Sequence, residues 1–93
     1  MPMEFKYESN RIFLPGPDGE SIAYVTFPHV KEGVVDLDHT FVDPSLRGQG
    51  VADLLMQAAV KHIQSQGLRI RPTCPYARKW FAAHARYAQL LEG

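Results

Sequence analysis

The stretch Asp43-Pro44-Ser45-Leu46-Arg47-Gly48-Gln49-Gly50-Val51-Ala52 sets an arginine and two glycines between a run patterned as a strand and a run patterned as a helix. Such a stretch suits a phosphate group. Gly48 and Gly50 lack side chains, so the backbone there can turn sharply and come close to a ligand. The unpaired amides at a helix start offer donors and a partial positive charge, to which Arg47 adds a full one. The same residues also suit a turn that only starts a helix, and the stretch alone does not separate the two. It lacks the third glycine of a dinucleotide fingerprint, since Gly48-Gln49-Gly50 runs on into Ala52-Asp53, and it lacks the Gly-Lys-Ser/Thr ending of a nucleotide P-loop.

Cys74, the one cysteine, stands just before Pro75 at the expected start of another helix. A thiol there feels the positive end of the helix dipole, which favours the thiolate, and Arg71 and Arg78 are near in sequence. It is either a reactive thiol or a small buried hydrophobe. By itself it can form neither an internal disulfide nor a structural zinc site. His39 falls on an apolar line with Val35, Leu37 and Phe41, where a histidine serves as a hydrogen-bonded core residue or, if that face turns to a cleft, as a base. His62 and His84 have no partner at ligand spacing, so no metal is expected. Tyr76, Trp80 and Tyr87 recur at helical spacing and read as core. Arg78 and Lys79 are either solvated helix charges or contacts for a phosphate, and Asp36 and Asp38 either an exposed strand face or an acidic approach for a cationic amine.

The elements that must position these residues follow from the pattern. Glu4 to Ser9 and Ile12 to Leu14 read as strands meeting at a tight turn, and Pro15-Gly16-Pro17-Asp18-Gly19 is a further turn. Ile22 to Phe27 is a third strand, ended by Pro28. Val34 to Val42 is a fourth, with Val35, Leu37, His39 and Phe41 on one face and Asp36, Asp38 and Thr40 on the other. Beyond Gly50, Val51, Leu54, Leu55, Ala58, Ala59 and Ile63 form the apolar stripe of a helix that Gly67 stops. Leu68 to Thr73 is a fifth strand, and a second helix runs from Pro75 towards Leu90. Strand, helix, strand implies a right-handed crossover and a parallel pair. The expected architecture is α+β: a mostly antiparallel five-stranded sheet with one parallel β-α-β crossover and two helices.

The 93 residues allow one domain, covering 1–93, with a single core. Ten Lys and Arg balance ten Asp and Glu, and this zero net charge argues against a protein living mainly on nucleic-acid phosphates. No apolar run is long enough to cross a bilayer, and Met1-Pro2-Met3-Glu4 has neither the basic end nor the apolar middle of a signal peptide. The expectation is a cytoplasmic protein that engages neither membrane nor nucleic acid.

The strand ending at Val42, the loop with Arg47, Gly50 and Ala52, and a helix carrying Leu54-Leu55 together resemble the acetyl-CoA motif of the GNAT superfamily of acyl-CoA-dependent N-acetyltransferases, whose loop reads Arg/Gln-x-x-Gly-x-Gly/Ala. The likeness extends from the fourth strand to the second helix. His39-Thr40, the Gly48-Gln49-Gly50 turn and Cys74 resemble its small single-domain branch, called YjdJ-like.

The resemblance implies acetyl-CoA as cosubstrate and an amine as acceptor. The pyrophosphate would lie on Arg47, Gly48, Gln49, Gly50, Val51 and Ala52, and the pantetheine arm would pair along the fourth strand at Val42. Tyr76 and Lys79 would join the cofactor site, with Cys74 and His39 the candidate catalytic groups. Many members place an asparagine where this chain has Cys74, and a proton-donating tyrosine where it has Phe81. Phe81 cannot donate, which leaves water, Cys74 or Tyr76. The helical segment that usually walls the amine site is also missing, so the acceptor is expected to be large or exposed, such as an amine on a protein, and the chain a monomer or weak dimer. The alternative is a CoA-binding or protein-interaction module with little or no catalysis.

Overall fold

In the computed structural model, which describes residues 4–92, the chain runs β1 (Lys6–Glu8), β2 (Arg11–Pro15), β3 (Ser21–Thr26), β4 (His29–Lys31), β5 (Val34–Leu37), β6 (His39–Val42), α1 (Val51–Ser65), β7 (Arg69–Pro72) and α2 (Pro75–Ala83). Met1 to Met3, where no signal-peptide pattern is expected, and Gly93 lie outside the described residues. The strands form one sheet ordered β1-β2-β3-β6 and another ordered β4-β5-β7. All pairs are antiparallel except β5 with β7, the parallel pair that the crossover through α1 requires.

Seven strands in two sheets replace the expected five-stranded sheet, mainly because the run from Val34 to Val42 breaks at Asp38. Val35 and Leu37 are buried, and a continuous strand would bury His39 and Phe41 with them. Instead His39 and Phe41 are exposed, while Thr40 and Val42 turn inward. One extra residue at Asp38 shifts the period-two alternation to the opposite face, the effect of a β-bulge. Before the break the chain pairs with β7; after it, with β3. The short β4, which pairs with β5, falls where only a turn after Pro28 is expected.

Both α-helices occur where the pattern puts them. On α1, Val51, Leu55, Met56, Ala59, Val60 and Ile63 are buried, whereas Leu54, assigned to the apolar stripe, is 40% exposed. They pack with Ile12, Ala23 and Val25 of the first sheet and Val35, Leu37 and Ile70 of the second in one core, closed on the other side by Ala77, Trp80 and Phe81 of α2. The second helix ends at Ala83 rather than near Leu90, and residues Ala85–Leu90 form 3-10 turns. His84 makes this stop, with non-helical φ −128° and ψ 67° and its imidazole Nδ1 2.7 Å from the Trp80 carbonyl. Among the described residues no helix is long and apolar enough to cross a membrane.

The C-terminal segment is held on the edge of the second sheet. Leu91 bridges Ile70 in parallel, and the Glu92 amide donates to the Ile70 carbonyl at 2.8 Å. The Glu92 carboxylate then ties Arg71 of β7 at 2.8 Å to Lys31 of β4 at 2.7 Å. Hydrogen bonds from Arg71 and Lys31 hold its pKa at about 2, against an ordinary 4.5. A carboxylate depressed in the folded state contributes stability that is full above 4.5 and is lost as the pH falls towards about 2. Urea midpoints measured through this window should therefore fall for the native chain and fall less steeply for Glu92→Gln; parallel profiles would show that the ion pairs do not contribute to folding.

Candidate functional site

The divergence of β6 from β7 leaves one edge of β6 without a strand partner, because β6 pairs only with β3. The chain leaves β6 through Asp43, whose carboxylate accepts from the Ser45 amide at 2.9 Å and caps a 3-10 turn at Pro44–Leu46. Hydrogen bonds from Ser45, the backbone one foremost, hold that carboxyl below its ordinary range. The Asp43 charge is thereby engaged within the loop.

Gly48 and Gly50 follow with φ +81° and +71°, the left-handed region that disfavours side chains. Gly50 is the N-cap of α1, and the first intrahelical bond runs from the Leu54 amide to its carbonyl at 3.1 Å. The amides of Val51, Ala52 and Asp53 precede that bond and form the positive end of a helix 15 residues long. Val42, Leu46, Arg47, Gly48, Gly50, Val51, Ala52, Asp53 and Tyr76 line a cleft of about 300 Å³ around this helix start. Arg47 is exposed at its mouth, and no ion pair engages it among the described residues. Free amides, glycine-turned backbone and an unpaired guanidinium fit a pyrophosphate.

Seven of the sequence-expected cofactor residues, Val42, Arg47, Gly48, Gly50, Val51, Ala52 and Tyr76, thus share one cleft. Gln49 and Lys79 are exposed and stand outside its wall. The backbone N–H of Gln49 donates to Leu46 O at 3.3 Å to close the turn, and Lys79 lies on the solvent side of α2. Leu46 and Asp53 are the additions. Asp53 reads from sequence as part of the polar side of α1, but Trp80 Nε1 donates to its Oδ1 at 2.7 Å and Gln57 Nε2 to its Oδ2 at 2.6 Å. These bonds hold the carboxylate towards α2. His84 stacks on Trp80 at 3.9 Å between centroids, so the aromatics read as core also join α2 to the cleft wall. Burial, and then the charge of Asp53, raise the Tyr76 phenol above its ordinary pKa of 10.0, which keeps it a donor at neutral pH.

Cys74 is the N-cap of α2 and is 7% exposed. Its amide and that of Thr73 both donate to Leu37 O, at 3.0 and 3.1 Å, which fixes the start of α2 at the point where the strands part. Its Sγ lies 3.7 Å from Thr40 Oγ1. The arginines near in sequence are committed elsewhere: Arg71 to Glu92, and Arg78 Nε to Pro72 O at 3.2 Å. Thr40, whose only signal in the sequence is its place beside His39, faces Cys74 because of the shift at Asp38. The same shift puts His39 on the opposite side of β6, exposed and 5.5 Å from the Tyr24 ring, so it belongs neither to the core nor to the side of Cys74. Among the described residues no cluster of His, Cys, Asp and Glu is arranged to hold a metal ion.

A family model described as GCN5-related N-acetyl-transferase matches residues 11–90. The chain is 36% identical over 58 residues to Protein NATD1 of Bos taurus, a match spanning 62% of this chain and 51% of that protein. It is 33% identical over 70 residues to Protein NATD1 of Danio rerio, spanning 75% and 63%. The matches thus span about half to three fifths of these curated relatives. Among solved structures, a GCN5-like protein from Staphylococcus aureus superposes with a TM-score of 0.80 at 27% identity, over 98% of this chain and 89% of that one. Rv2747 from Mycobacterium tuberculosis, solved in complex with CoA and NLQ, shares the fold with a TM-score of 0.63 at 15% identity, over 82% and 47%.

A Cβ built on Gly50 would meet nothing within 4 Å, so the requirement for glycine there comes from the backbone and not from space. Gly50→Ala should therefore cost about 1–2 kcal/mol, the penalty of an L-residue in the left-handed region. Thermal or urea unfolding measures it, and an unchanged midpoint would show that the loop relaxes to another conformation.

Proposed function

Because the chain belongs to the GCN5-related N-acetyltransferase family, whose model spans residues 11–90, we propose that it transfers an acetyl group from acetyl-CoA to an exposed amine. The observation that carries this reading is the continuity of three features: a glycine-turned helix start, the unpaired edge of β6, and a thiol where that edge leaves β7. The amides of Val51 to Asp53 and the charge of Arg47 receive the pyrophosphate. The pantetheine arm takes the vacant hydrogen-bonding edge of β6, with Val42 next to the phosphates, and this directs the thioester towards Thr40 and Cys74.

The neutral amine attacks the thioester carbonyl, forming the C–N bond, while a backbone amide of β6 polarises the oxygen. Collapse breaks the C–S bond. The departing thiolate takes a proton from Cys74 Sγ, and the Cys74 thiolate is reprotonated by the proton that the attacking nitrogen releases. The net transfer is one proton from nitrogen to the CoA sulfur. Thr40 Oγ1, 3.7 Å from Sγ, orients the thiol. Tyr76, protonated within the cleft, is the second donor available. Phe81, at the position where many relatives carry the donor tyrosine, is 5% exposed and only packs.

Acetyl-CoA titration by calorimetry, CoA release with varied amines and mass spectrometry of Cys74 test this reading together. Native protein should bind acetyl-CoA and release CoA only when an amine is present. Gly50→Arg should abolish binding, and Cys74→Ala should lower kcat about a hundredfold, the usual scale of general acid catalysis, with binding retained. An unchanged kcat would remove Cys74 from the mechanism, and a stable acetyl adduct on Cys74 without amine would make it a nucleophile. Binding without amine-dependent turnover would replace the enzyme by a CoA-binding module, the reading that Phe81 favours.

A further inference from the structure

His84 ends α2 and also faces the wall of the cleft. Its imidazole Nδ1 lies 2.7 Å from Trp80 O, the carbonyl that the His84 amide would have taken had the helix continued; that amide donates to Phe81 O at 3.2 Å instead. A carbonyl oxygen only accepts, so Nδ1 carries a proton in either charge state of the ring, and Nε2 is the nitrogen that gains or loses one. Nε2 lies 3.9 Å from Asp53 Oδ1 of α1, too far for a hydrogen bond but within reach of an ion pair. The imidazole stacks on the Trp80 ring with 14° between planes, which fixes this direction. Trp80 holds both partners, since its Nε1 donates to the same Asp53 oxygen at 2.7 Å.

Asp53 is where this pair meets the cleft. It is the third residue of α1 and lines the cavity beside the free amides of the helix start. Trp80 and Gln57 donate to it as neutral groups and leave its charge in place. That charge reaches across the cleft: after burial, it is the cause that raises the Tyr76 phenol. A carboxylate at a helix start stabilises the helix but opposes a second anion there. Among the described residues neither Asp53 nor His84 has another ion-pair partner. On α2, Arg78 is bonded to Pro72 O and Lys79 is exposed; in the turns after it, Arg86 lies over the Tyr87 ring at 4.9 Å, and that ring stacks on Trp80 at 5.5 Å.

We infer that His84 is a positioning residue for the cofactor: its charge at Nε2 sets how far Asp53 opposes the pyrophosphate at the start of α1. The role rests on the acetyltransferase reading, which supplies the CoA. His84 touches no reacting atom and acts through Asp53. Unprotonated, Nε2 turns a lone pair towards the carboxylate, and Asp53 stands in the wall as a full negative charge. Protonated, it turns an N–H and a positive charge there, and the free amides and Arg47 act on the ligand unopposed. Cofactor affinity therefore falls as the pH rises through the range in which histidine changes charge, between about pH 5 and 8. By linkage, binding draws a proton onto Nε2. No covalent bond to carbon or sulfur changes in this exchange.

Dephospho-CoA is the probe, because it keeps the pyrophosphate and lacks the ribose phosphate, whose second ionisation at about pH 6 would overlay the effect. Its affinity for the full chain, measured by calorimetry, should fall about threefold between about pH 5 and 8, the scale of a partly exposed ion pair. His84→Gln, which can still donate to the Trp80 carbonyl, should bind at every pH as the native chain does at the alkaline end. His84→Arg, whose guanidinium stacks on Trp80 and stays charged, should bind at every pH as the native chain does at the acid end. A histidine that only ends the helix would show no such rescue by a permanent charge. Asp53→Asn, which keeps an acceptor for Trp80 Nε1, should also lose the dependence, at the tight level. His29, His39 and His62 remain in all three variants, so any contribution of theirs is common to every profile. In long-range proton–nitrogen NMR spectra, Nδ1 of His84 should keep its proton throughout, while Nε2 gains one on acidification and on addition of dephospho-CoA. A native slope retained in His84→Gln or Asp53→Asn, a His84→Arg profile that follows His84→Gln, or a neutral ring protonated at Nε2 would overturn the assignment. Native binding without pH dependence would remove the role of His84 and leave the CoA site standing, whereas no binding at any pH would remove both.

Discussion

One residue too many at Asp38 organises the molecule. A strand continuous from Val34 to Val42 would keep one face inward along its length and could pair with β7 to its end. With the alternation shifted, Leu37 and Thr40 point inward from either side of the break, β5 stays with β7, and β6 goes with β3. The unpaired edge of β6 is a row of backbone groups that water or a ligand must satisfy, since such groups are costly when buried alone. The core bears this arrangement because α1 packs against both sheets and makes them one body. The feature that weakens the sheet is therefore the one that leaves a row of backbone hydrogen-bonding groups open along β6.

Electrostatics in the cleft follow from how its carboxylates are occupied. The chain has no net charge, so a phosphate cannot rely on a basic surface. Asp43 spends its acceptor capacity on Ser45, and Asp53 is held by Trp80 and Gln57. These neutral donors orient both carboxylates without removing their charge, so the free amides and Arg47 supply the positive potential at the helix start against the Asp53 carboxylate in the cleft wall. Trp80 has two tasks here: its ring is core, and its N–H fixes the spacing between α2 and the start of α1. That spacing is the width of the cleft.

The parts of the fold and site legible in the sequence were those written in local pattern. Period-two and helical stripes located the strands, α1 and the start of α2, and Gly48-Gln49-Gly50 located the left-handed turn that α1 needs. Parallel pairing followed from the crossover. The resemblance added the cleft assignment, and most of the residues it named do converge there. The rest depended on contacts distant in sequence. The break at Asp38 leaves no local signature, because His39-Thr40-Phe41-Val42 alternates well in either phase and only pairing with β3 selects the observed one. That single phase error misplaced both His39 and Thr40. Asp53 could not be told from a solvated helix charge, since its partner Trp80 lies 27 residues away. The stop of α2 at Ala83 depends on His84 folding back, which periodicity does not register.

The two sides of β6 have different physical characters. On the inner side Thr40, Cys74, Tyr76 and the helix start combine low exposure, a thiol and oriented amides. On the outer side Tyr24, His39, Phe41 and Asp38 are solvent-facing, with rings and a carboxylate in place of amides. Electrostatic and hydrogen-bonding interactions are screened by water on the outer side and act at fuller strength on the inner one. One break in alternation, at Asp38, therefore gives a single strand a shielded face and a solvent-facing one.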